Sequence, residues 1–202
     1  MKTSLICLAA MLLLCSGCNK AIDLVTSKTA TETNATFTKY TIKSGEHYAD
    51  SNPYKKVSIT EMAFVVKFDS SAIYQSATEE NQFDINKLYG FSDNNAMHHQ
   101  YSARIGWRWS DNQLRLFAYV YNNGIVSSKE INTVPIGKEV ACSIQVVGGE
   151  YIFTVNDVQE KLPRESTTEA GEGYQLYPYF GGDETAPHAI FIWIKPVTTN
   201  PL

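Results

Sequence analysis

Short segments of alternating apolar and polar residues, separated by turn-forming residues, fill most of this chain, and no stretch carries a sustained helical repeat. A period of two is typical of a strand with one buried face, because successive side chains point to opposite sides of a sheet. Asp111-Asn112, Asn122-Asn123-Gly124 and Gly148-Gly149 separate such segments and have the composition of hairpin turns. The sequence therefore predicts an all-β protein.

The number and spacing of these segments indicate how the strands are arranged. About ten to twelve strands in roughly 160 residues predict a two-sheet antiparallel β-sandwich, with an eight-stranded closed barrel as the alternative. Residues 57–69 are expected to form one long strand, with Phe64, Val66 and Phe68 on one side. The expected strands cover residues 36–42, 57–69, 88–92, 102–109, 114–121, 125–131, 140–147, 151–155, a short segment after Asn156-Asp157, 174–180 and 188–195.

The first residues have the form of an export signal. Lys2 precedes an apolar stretch from Leu5 to Leu14, which is shorter than the about 20 residues that a membrane-spanning helix needs. Cys15-Ser16-Gly17-Cys18 follows, and small residues before a cysteine resemble the lipobox of Bacteroidetes-type lipoproteins. Cys15 departs from that pattern, which usually has leucine there.

The lipobox resemblance implies a domain order and a location. Residues 1–17 would be a signal peptide that is cleaved before Cys18 once the thiol of Cys18 has received diacylglycerol. Residues 18–35 are rich in Thr, Ser, Asn and Lys and predict a flexible tether, while residues 36–202 are expected to form the β-sandwich domain. We therefore expect a lipid-anchored protein of the cell envelope, at the outer membrane, on the cell surface or facing the periplasm.

Charge and cysteine usage exclude some functions. The formal net charge is −4, which argues against nucleic acid as a partner, because proteins that bind it carry a basic footprint. Cys142 is the one cysteine after Cys18, so the domain has no internal disulfide. Its apolar neighbours predict a buried core position rather than a reactive thiol.

Two motifs point to a known fold. The chain has Gly148-Gly149-Glu150-Tyr151 at the start of one predicted strand and Tyr177-Pro178-Tyr179-Phe180-Gly181-Gly182 near its end. With paired Arg- and Trp-rich strands between residues 102 and 121, this order resembles the concanavalin A-like lectin/glucanase jelly roll over roughly residues 36–196. That superfamily includes lectins, hydrolases, polysaccharide lyases and non-catalytic modules, so the resemblance implies carbohydrate as the ligand without choosing between binding and cleavage.

The residues expected of a hydrolase of this fold are absent from the sequence. Retaining hydrolases use two carboxyl groups about 5–5.5 Å apart, commonly in a Glu-x-Asp-x-x-Glu strand. The nearest candidates, Glu61 and Asp69, would stand roughly 26 Å apart on one strand. Alginate-type lyases carry an Arg-rich strand, a Gln-x-His motif and a late Tyr-Phe-Lys-Ala-Gly-x-Tyr-x-Gln strand. Here Tyr179-Phe180 matches only the first aromatic pair.

One predicted sheet face carries the parts of a ligand surface. Alternation places arginines and tyrosines of the two central strands on one side and Trp107 and Trp109 on the other, in the core. Two adjacent histidines approach the edge of this face. An ordinary solvated sheet face has the same pattern, and the sequence does not separate the two. The candidate ligand-binding residues are Arg104, Arg108, Arg115, Tyr119, Tyr121, His98 and His99.

The turn that contains Asp183 and Glu184 is the one candidate for a cation. Calcium takes six to eight oxygen ligands, and two carboxylates supply few of them. We therefore expect no cofactor, with a structural calcium as the alternative. We expect the protein to bind a polysaccharide or oligosaccharide through the concave face of the sandwich, in polysaccharide utilisation. A polysaccharide lyase or glycoside hydrolase of the same fold remains the alternative.

The predicted lipid anchor can be tested by replacing Cys18. Cys18→Ala should abolish labelling of the protein by radioactive palmitate, because the thioether to the lipid forms on this sulfur. Cys142→Ala is the matched control and should leave labelling unchanged. Labelling that persists in the Cys18→Ala protein would disprove this anchor.

Overall fold

The computed structural model describes residues 35–198 and contains twelve β-strands with two short 3-10 turns. The predicted signal peptide, Cys18 and the tether up to residue 34 lie outside the described residues. Within residues 35–198, no helix is long and apolar enough to cross a bilayer. The strands are β1 (Thr38–Ile42), β2 (Lys56–Ile59), β3 (Glu61–Phe68), β4 (Asn86–Ser92), β5 (Ser102–Ser110), β6 (Gln113–Asn122), β7 (Ile125–Val134), β8 (Glu139–Val147), β9 (Glu150–Val155), β10 (Val158–Pro163), β11 (Gly171–Leu176) and β12 (Ile190–Val197).

The strands form two six-stranded antiparallel sheets. The first, here called the back sheet, has the order β1-β12-β3-β8-β9-β10, and the second, the cleft sheet, has the order β2-β11-β4-β5-β6-β7. Apolar side chains of the two inner faces meet in one continuous core. The predicted two-sheet sandwich is confirmed, and the barrel alternative is wrong because the sheets remain separate.

Tight turns join the consecutive strands of each meander. Asp111 and Asn112 have φ of 53° and 57°, Asn123 and Gly124 have 47° and 81°, and Gly148 and Gly149 have 58° and 82°. Two successive residues with positive φ make the type I′ turn, whose twist matches that of the flanking strands. The three hairpins predicted from these turn residues are therefore present.

Two strand predictions are wrong in detail. Residues 57–69 form two strands, β2 in the cleft sheet and β3 in the back sheet, rather than one. In β2 the odd-numbered Val57 is buried, whereas in β3 the even-numbered Phe64 is buried. The alternation changes phase because the opposite side of the chain faces the core after it crosses from one sheet to the other. The strand expected over 174–180 ends at Leu176, since Pro178 has no N–H to continue the ladder.

Trp107 forms the centre of the core between the sheets. Its side chain is fully buried, and its ring lies 5.4 Å from that of Phe68, 5.8 Å from Tyr74 and 6.4 Å from Phe180. Trp109, at the end of β5, is only partly buried against the same core. Cys142 is buried, and desolvation raises the pKa of its thiol, as expected of an unreactive core residue.

A buried ion pair fixes the end of β4 to the segment that precedes β11. Arg164 Nε donates to Asp93 Oδ2 at 2.7 Å, and Tyr151 donates to the same oxygen at 2.6 Å. Burial alone would raise the pKa of Asp93, but hydrogen bonds from Arg164 and Tyr151 outweigh it and lower the pKa. Arg164 also binds the carbonyls of Thr168 and Ala170, so this charge is fully compensated.

The sandwich is bridged along the side where β7 and β10 form the edges of their sheets. The two strands lie close together, and Lys129 on β7 forms an ion pair with Glu160 on β10. Lys161 on β10 pairs with Glu150 on β9. Strands at the edge of a sheet leave a row of backbone N–H and C=O groups unpaired, and on this side charged side chains lie next to those groups.

The core position of Trp107 gives a stability prediction. Trp107→Ala should lower the free energy of unfolding by about 3–5 kcal/mol, through lost transfer energy and the cavity left behind. Trp109→Ala is the matched control and should cost clearly less, because that side chain is only partly buried. Urea unfolding measures both values. Equal losses in the two variants would contradict the assigned core.

Candidate functional site

A cleft of about 380 Å³ lies on the outer face of the cleft sheet. Its floor is formed by β4, β5 and β6, and its walls by the loops around residues 48–54 and 98–99 and by the segment 174–179. The lining residues are Tyr48, Asn52, Pro53, Tyr54, Lys87, His98, His99, Arg104, Tyr121, Tyr174, Gln175, Leu176, Tyr177, Pro178 and Tyr179.

Arg104 is a buried cation in the floor of this cleft. It stands on β5 opposite Tyr119 of β6, and only 8% of its surface is exposed. Its Nε has no hydrogen-bond partner, and Nη2 makes one long contact of 3.5 Å to the carbonyl oxygen of Tyr177. Burial lowers its pKa to about 10, so the guanidinium is charged at neutral pH. No acidic residue is among the described residues that line the cleft.

Lys87 adds a second cation beside Arg104. A β-bulge at Leu88 shifts the register of β4, so Lys87 shares the outer face with Gly106 while Tyr89 turns to the core. The ammonium donates to the carbonyl of Ile85 at 2.6 Å and lies 4.5 Å from the centre of the Tyr119 ring. Burial and, secondarily, the charge of Arg104 lower the pKa of Lys87 to about 8.

The backbone at Gly181 closes over Lys87. A Cβ atom at this position would stand 2.8 Å from Nζ of Lys87 and 2.6 Å from the carbonyl oxygen of Ile85. Only glycine allows this approach without displacing the lysine. Gly181 thus contributes to the burial of a charged group in the cleft.

A histidine and a tyrosine form a polar pair in the wall of the cleft. His98 Nδ1 lies 2.9 Å from the Tyr174 hydroxyl, which also accepts a hydrogen bond from the His98 backbone N–H at 3.2 Å. Burial, then the nearby charge of Arg104, lower the pKa of His98 to about 4. The imidazole is therefore neutral at pH 7. The His99 ring stands 4.2 Å from it.

Tyrosine rings make up much of the remaining wall. Tyr48 packs edge-on against Tyr179 at 4.9 Å, and Tyr54 lies 5.8 Å from Tyr174. Tyr48 and Tyr54 are 64% and 78% exposed, so their rings are accessible from solvent. Such rings offer an apolar face for a sugar and a hydroxyl for hydrogen bonding.

The structure distributes the predicted site residues between two regions. Arg104, Tyr121, His98 and His99 line the cleft, and Tyr119 lies buried below it under Lys87. Arg108 and Arg115 stand at the other end of β5 and β6, away from the cleft lining.

Both of these outer arginines already have partners. Arg115 forms ion pairs with Asp111 at 3.0 Å and with Glu130 at 2.9 Å. Arg108 donates to the Phe83 carbonyl at 2.8 Å and stacks on the Phe117 ring at 4.8 Å. Their guanidinium groups are therefore held by the protein itself.

Several cleft residues could not be predicted from the sequence. Lys87 has no signal in the sequence, because the bulge at Leu88 breaks the alternation that would have placed it. Tyr48, Tyr54 and Tyr174 come from separate segments that only the fold brings together. The Tyr177-Pro178-Tyr179 motif did carry a signal, since it belongs to the segment on which the family resemblance was based.

The acidic turn near the end of the chain has a structural partner. The Glu184 carboxylate accepts hydrogen bonds of 2.8 Å from the Asn81 side chain and from the backbone N–H groups of Ala77 and Thr78. These bonds lower the pKa of Glu184 to about 2. Among residues 35–198, no group of three or more His, Cys, Asp or Glu side chains is placed to hold a metal ion.

Comparison with known proteins identifies the fold. No protein-family model matches the sequence, and a search of curated proteins gave no match. Alginate lyase vAL-1 from a Chlorella virus matches with a TM-score of 0.50 and 12% identity, over 79% of this chain and 82% of its own. Alginate lyase AlyC3 matches with a TM-score of 0.51 and 9% identity, over 78% and 72%. With its two six-stranded antiparallel sheets, this protein has the concanavalin A-like jelly-roll fold.

Proposed function

We propose that this protein is a lipoprotein of the cell envelope, anchored through Cys18, that binds an acidic glycan in the cleft as part of polysaccharide utilisation. Arg104 receives a carboxylate of the sugar chain, Lys87 supplies a second positive charge, and the tyrosine walls contact the sugar rings. The ligand class is thus a polysaccharide that carries uronate or similar anionic groups.

The buried, uncompensated charge of Arg104 is the observation that carries this proposal. A buried charge is costly unless it is paired, and buried arginines in proteins normally have a carboxylate partner. Arg164 in this same chain follows that rule through Asp93. Arg104 has no such partner and opens onto a cleft. A ligand carboxylate would supply it, with the two-point geometry that a guanidinium favours.

The surroundings of Arg104 support a sugar as the carrier of that anion. Six tyrosines line the cleft, and the exposed rings of Tyr48 and Tyr54 provide flat faces at its rim. The two structural neighbours described above are named for their action on alginate, which agrees with an acidic glycan as the ligand.

A lyase is the second candidate, because one observation favours it. Elimination next to a uronate carboxylate needs a cation on that carboxylate, a base for the α proton and an acid for the leaving oxygen. Arg104, the neutral His98 and the Tyr174 hydroxyl are groups of these three types in one cleft. The carbon–oxygen bond would break as the proton leaves, giving an unsaturated uronate. Retaining hydrolysis is not supported, since no carboxylate pair lies among the described cleft residues.

A glycan-binding measurement tests the main proposal. Arg104→Ala should weaken the binding of acidic polysaccharides by about tenfold to a hundredfold, the effect of removing one charge-assisted contact, and leave neutral glucans less affected. Arg115→Ala is the matched control, because this arginine lies on the next strand but pairs with Asp111 and Glu130. Isothermal calorimetry on an array-selected oligosaccharide gives the affinities.

The same samples decide between binding and cleavage. A binding protein leaves the oligosaccharide intact, whereas a lyase releases products with the ultraviolet absorbance of an unsaturated uronate. His98→Ala would abolish that release if His98 is the base. Acidic binding that is equal in wild type and Arg104→Ala, or no binding to any polysaccharide, would refute the proposal.

The lowered pKa of Lys87 predicts how binding depends on pH. Below about pH 8 the ammonium is charged and attracts the anion, and above that value it loses its proton. Affinity for an acidic oligosaccharide should therefore fall roughly tenfold between pH 7 and pH 9, while the ligand carboxylates and Arg104 keep their charges. Lys87→Met should bind more weakly at pH 7 and show a flat profile over this interval. An equally steep profile in that variant would exclude Lys87 as the titrating group.

A further inference from the structure

The outer face of the back sheet carries a patch of three lysines and three aromatic rings. In β12, Phe191, Trp193 and Lys195 alternate with buried isoleucines and so point outward. The register aligns Trp193 with Lys39 of β1 on one side and with Lys67 of β3 on the other. Phe37, immediately before β1, completes the patch. We call Phe37, Lys39, Lys67, Phe191, Trp193 and Lys195 the basic-aromatic patch.

Each lysine of the patch lies over an aromatic ring. Nζ of Lys39 is 3.8 Å from the centre of the Phe191 ring, Nζ of Lys67 is 5.5 Å from Trp193, and Nζ of Lys195 is 5.0 Å from Phe37. None of these three lysines has an ion pair within residues 35–198. The nearest acid in the strand register is Glu139, opposite Lys67. The patch therefore keeps a net positive charge that is open to an anionic partner.

We propose that the basic-aromatic patch is a membrane-contact surface that binds anionic phospholipid headgroups. Lysine places its stem along apolar surface while its ammonium reaches outward, as in these ring contacts. Tryptophan is enriched at the depth of the lipid headgroups, and phenylalanine is among the apolar residues that surface-bound segments bury there. Lysines near this surface gain affinity from the negative surface potential of anionic lipids. The patch combines aromatic rings and lysines on one outer sheet face.

The position of the patch in the fold favours a bilayer as its partner. Phe37 and Lys39 lie at the start of the domain, on the segment that leads back to Cys18. The inference rests on the proposed function, because the proposed anchor brings the domain to a membrane. The contact of the patch with lipid headgroups itself needs no lipid on Cys18. The patch and the cleft lie on the outer faces of opposite sheets. A domain resting on the patch would therefore present its cleft away from the membrane.

The lysines also argue against a second sugar site on this face. A sugar ring stacks on an uncovered aromatic face, and here the ammonium groups already occupy positions over the rings of Phe191, Trp193 and Phe37. The cleft, in contrast, presents the exposed tyrosines Tyr48 and Tyr54.

Vesicle binding tests the proposal. Residues 18–202 with Cys18→Ser, which takes no lipid, should cosediment with vesicles of phosphatidylcholine mixed with phosphatidylglycerol and much less with phosphatidylcholine alone. The triple variant Lys39→Glu, Lys67→Glu, Lys195→Glu should bind the anionic vesicles about a hundredfold more weakly, at about fivefold for each lysine.

A second triple variant controls for net charge. Lys55→Glu, Lys56→Glu, Lys138→Glu changes the charge equally at exposed lysines that have no ion pair within residues 35–198, and it leaves the patch intact, so it should retain most of the vesicle binding. Both variants should keep the thermal midpoint, and the patch variant should still bind acidic oligosaccharide in the cleft. Equal loss in both variants, or no preference for anionic vesicles in the parent protein, would overturn the proposal. Loss of glycan binding in the patch variant would also overturn the proposal, because it would indicate that this face binds sugar instead. Failure of cleft binding alone would refute only the proposed function.

Discussion

The register of the β5–β6 hairpin determines both the core and the cleft. The type I′ turn at Asp111-Asn112 aligns Trp107 with Leu116 on the inner face and Arg104 with Tyr119 on the outer face. A slip of one residue would exchange the faces, placing the guanidinium between the sheets and the indole in solvent. The buried apolar face makes such a slip costly. The packing of Trp107 therefore holds Arg104 at the floor of the cleft, although the two side chains point in opposite directions.

How far the sequence predicts this molecule depends on whether a feature is local. Alternation within β5 and β6 was sufficient to place Arg104, Tyr119 and Tyr121 on one face, because period-two geometry is a property of each strand. It failed at Lys87, where a bulge changes the phase, and at residues 57–69, where the chain changes sheets. The sequence also could not show whether an arginine side chain already has a partner within the protein. Arg115 is held partly by Glu130 from β7, a contact that only the sheet creates.

The two buried arginines show how one fold uses the same side chain in two ways. Arg164 joins Asp93 and a set of carbonyls, and this network fixes the segment leading into β11. Arg104 has almost none of these contacts, so its burial costs stability that the surrounding sheets must offset. Groups that are incompletely satisfied in the free protein are frequent at sites that meet a ligand, because the ligand then completes them. Arg164 therefore has a structural role, whereas the missing contacts of Arg104 are the basis of its proposed role in ligand binding.

The bridged side of the sandwich has a consequence for contacts between copies of this domain. Strands at the edge of a sheet expose unpaired N–H and C=O groups, and edges from two molecules can join and seed aggregates. At the β7 and β10 edges, Lys129 and Lys161 stand beside the unpaired groups, their ion pairs tie neighbouring strands together, and Pro163 ends β10 without a donor. This arrangement protects that side against self-association between neighbouring copies.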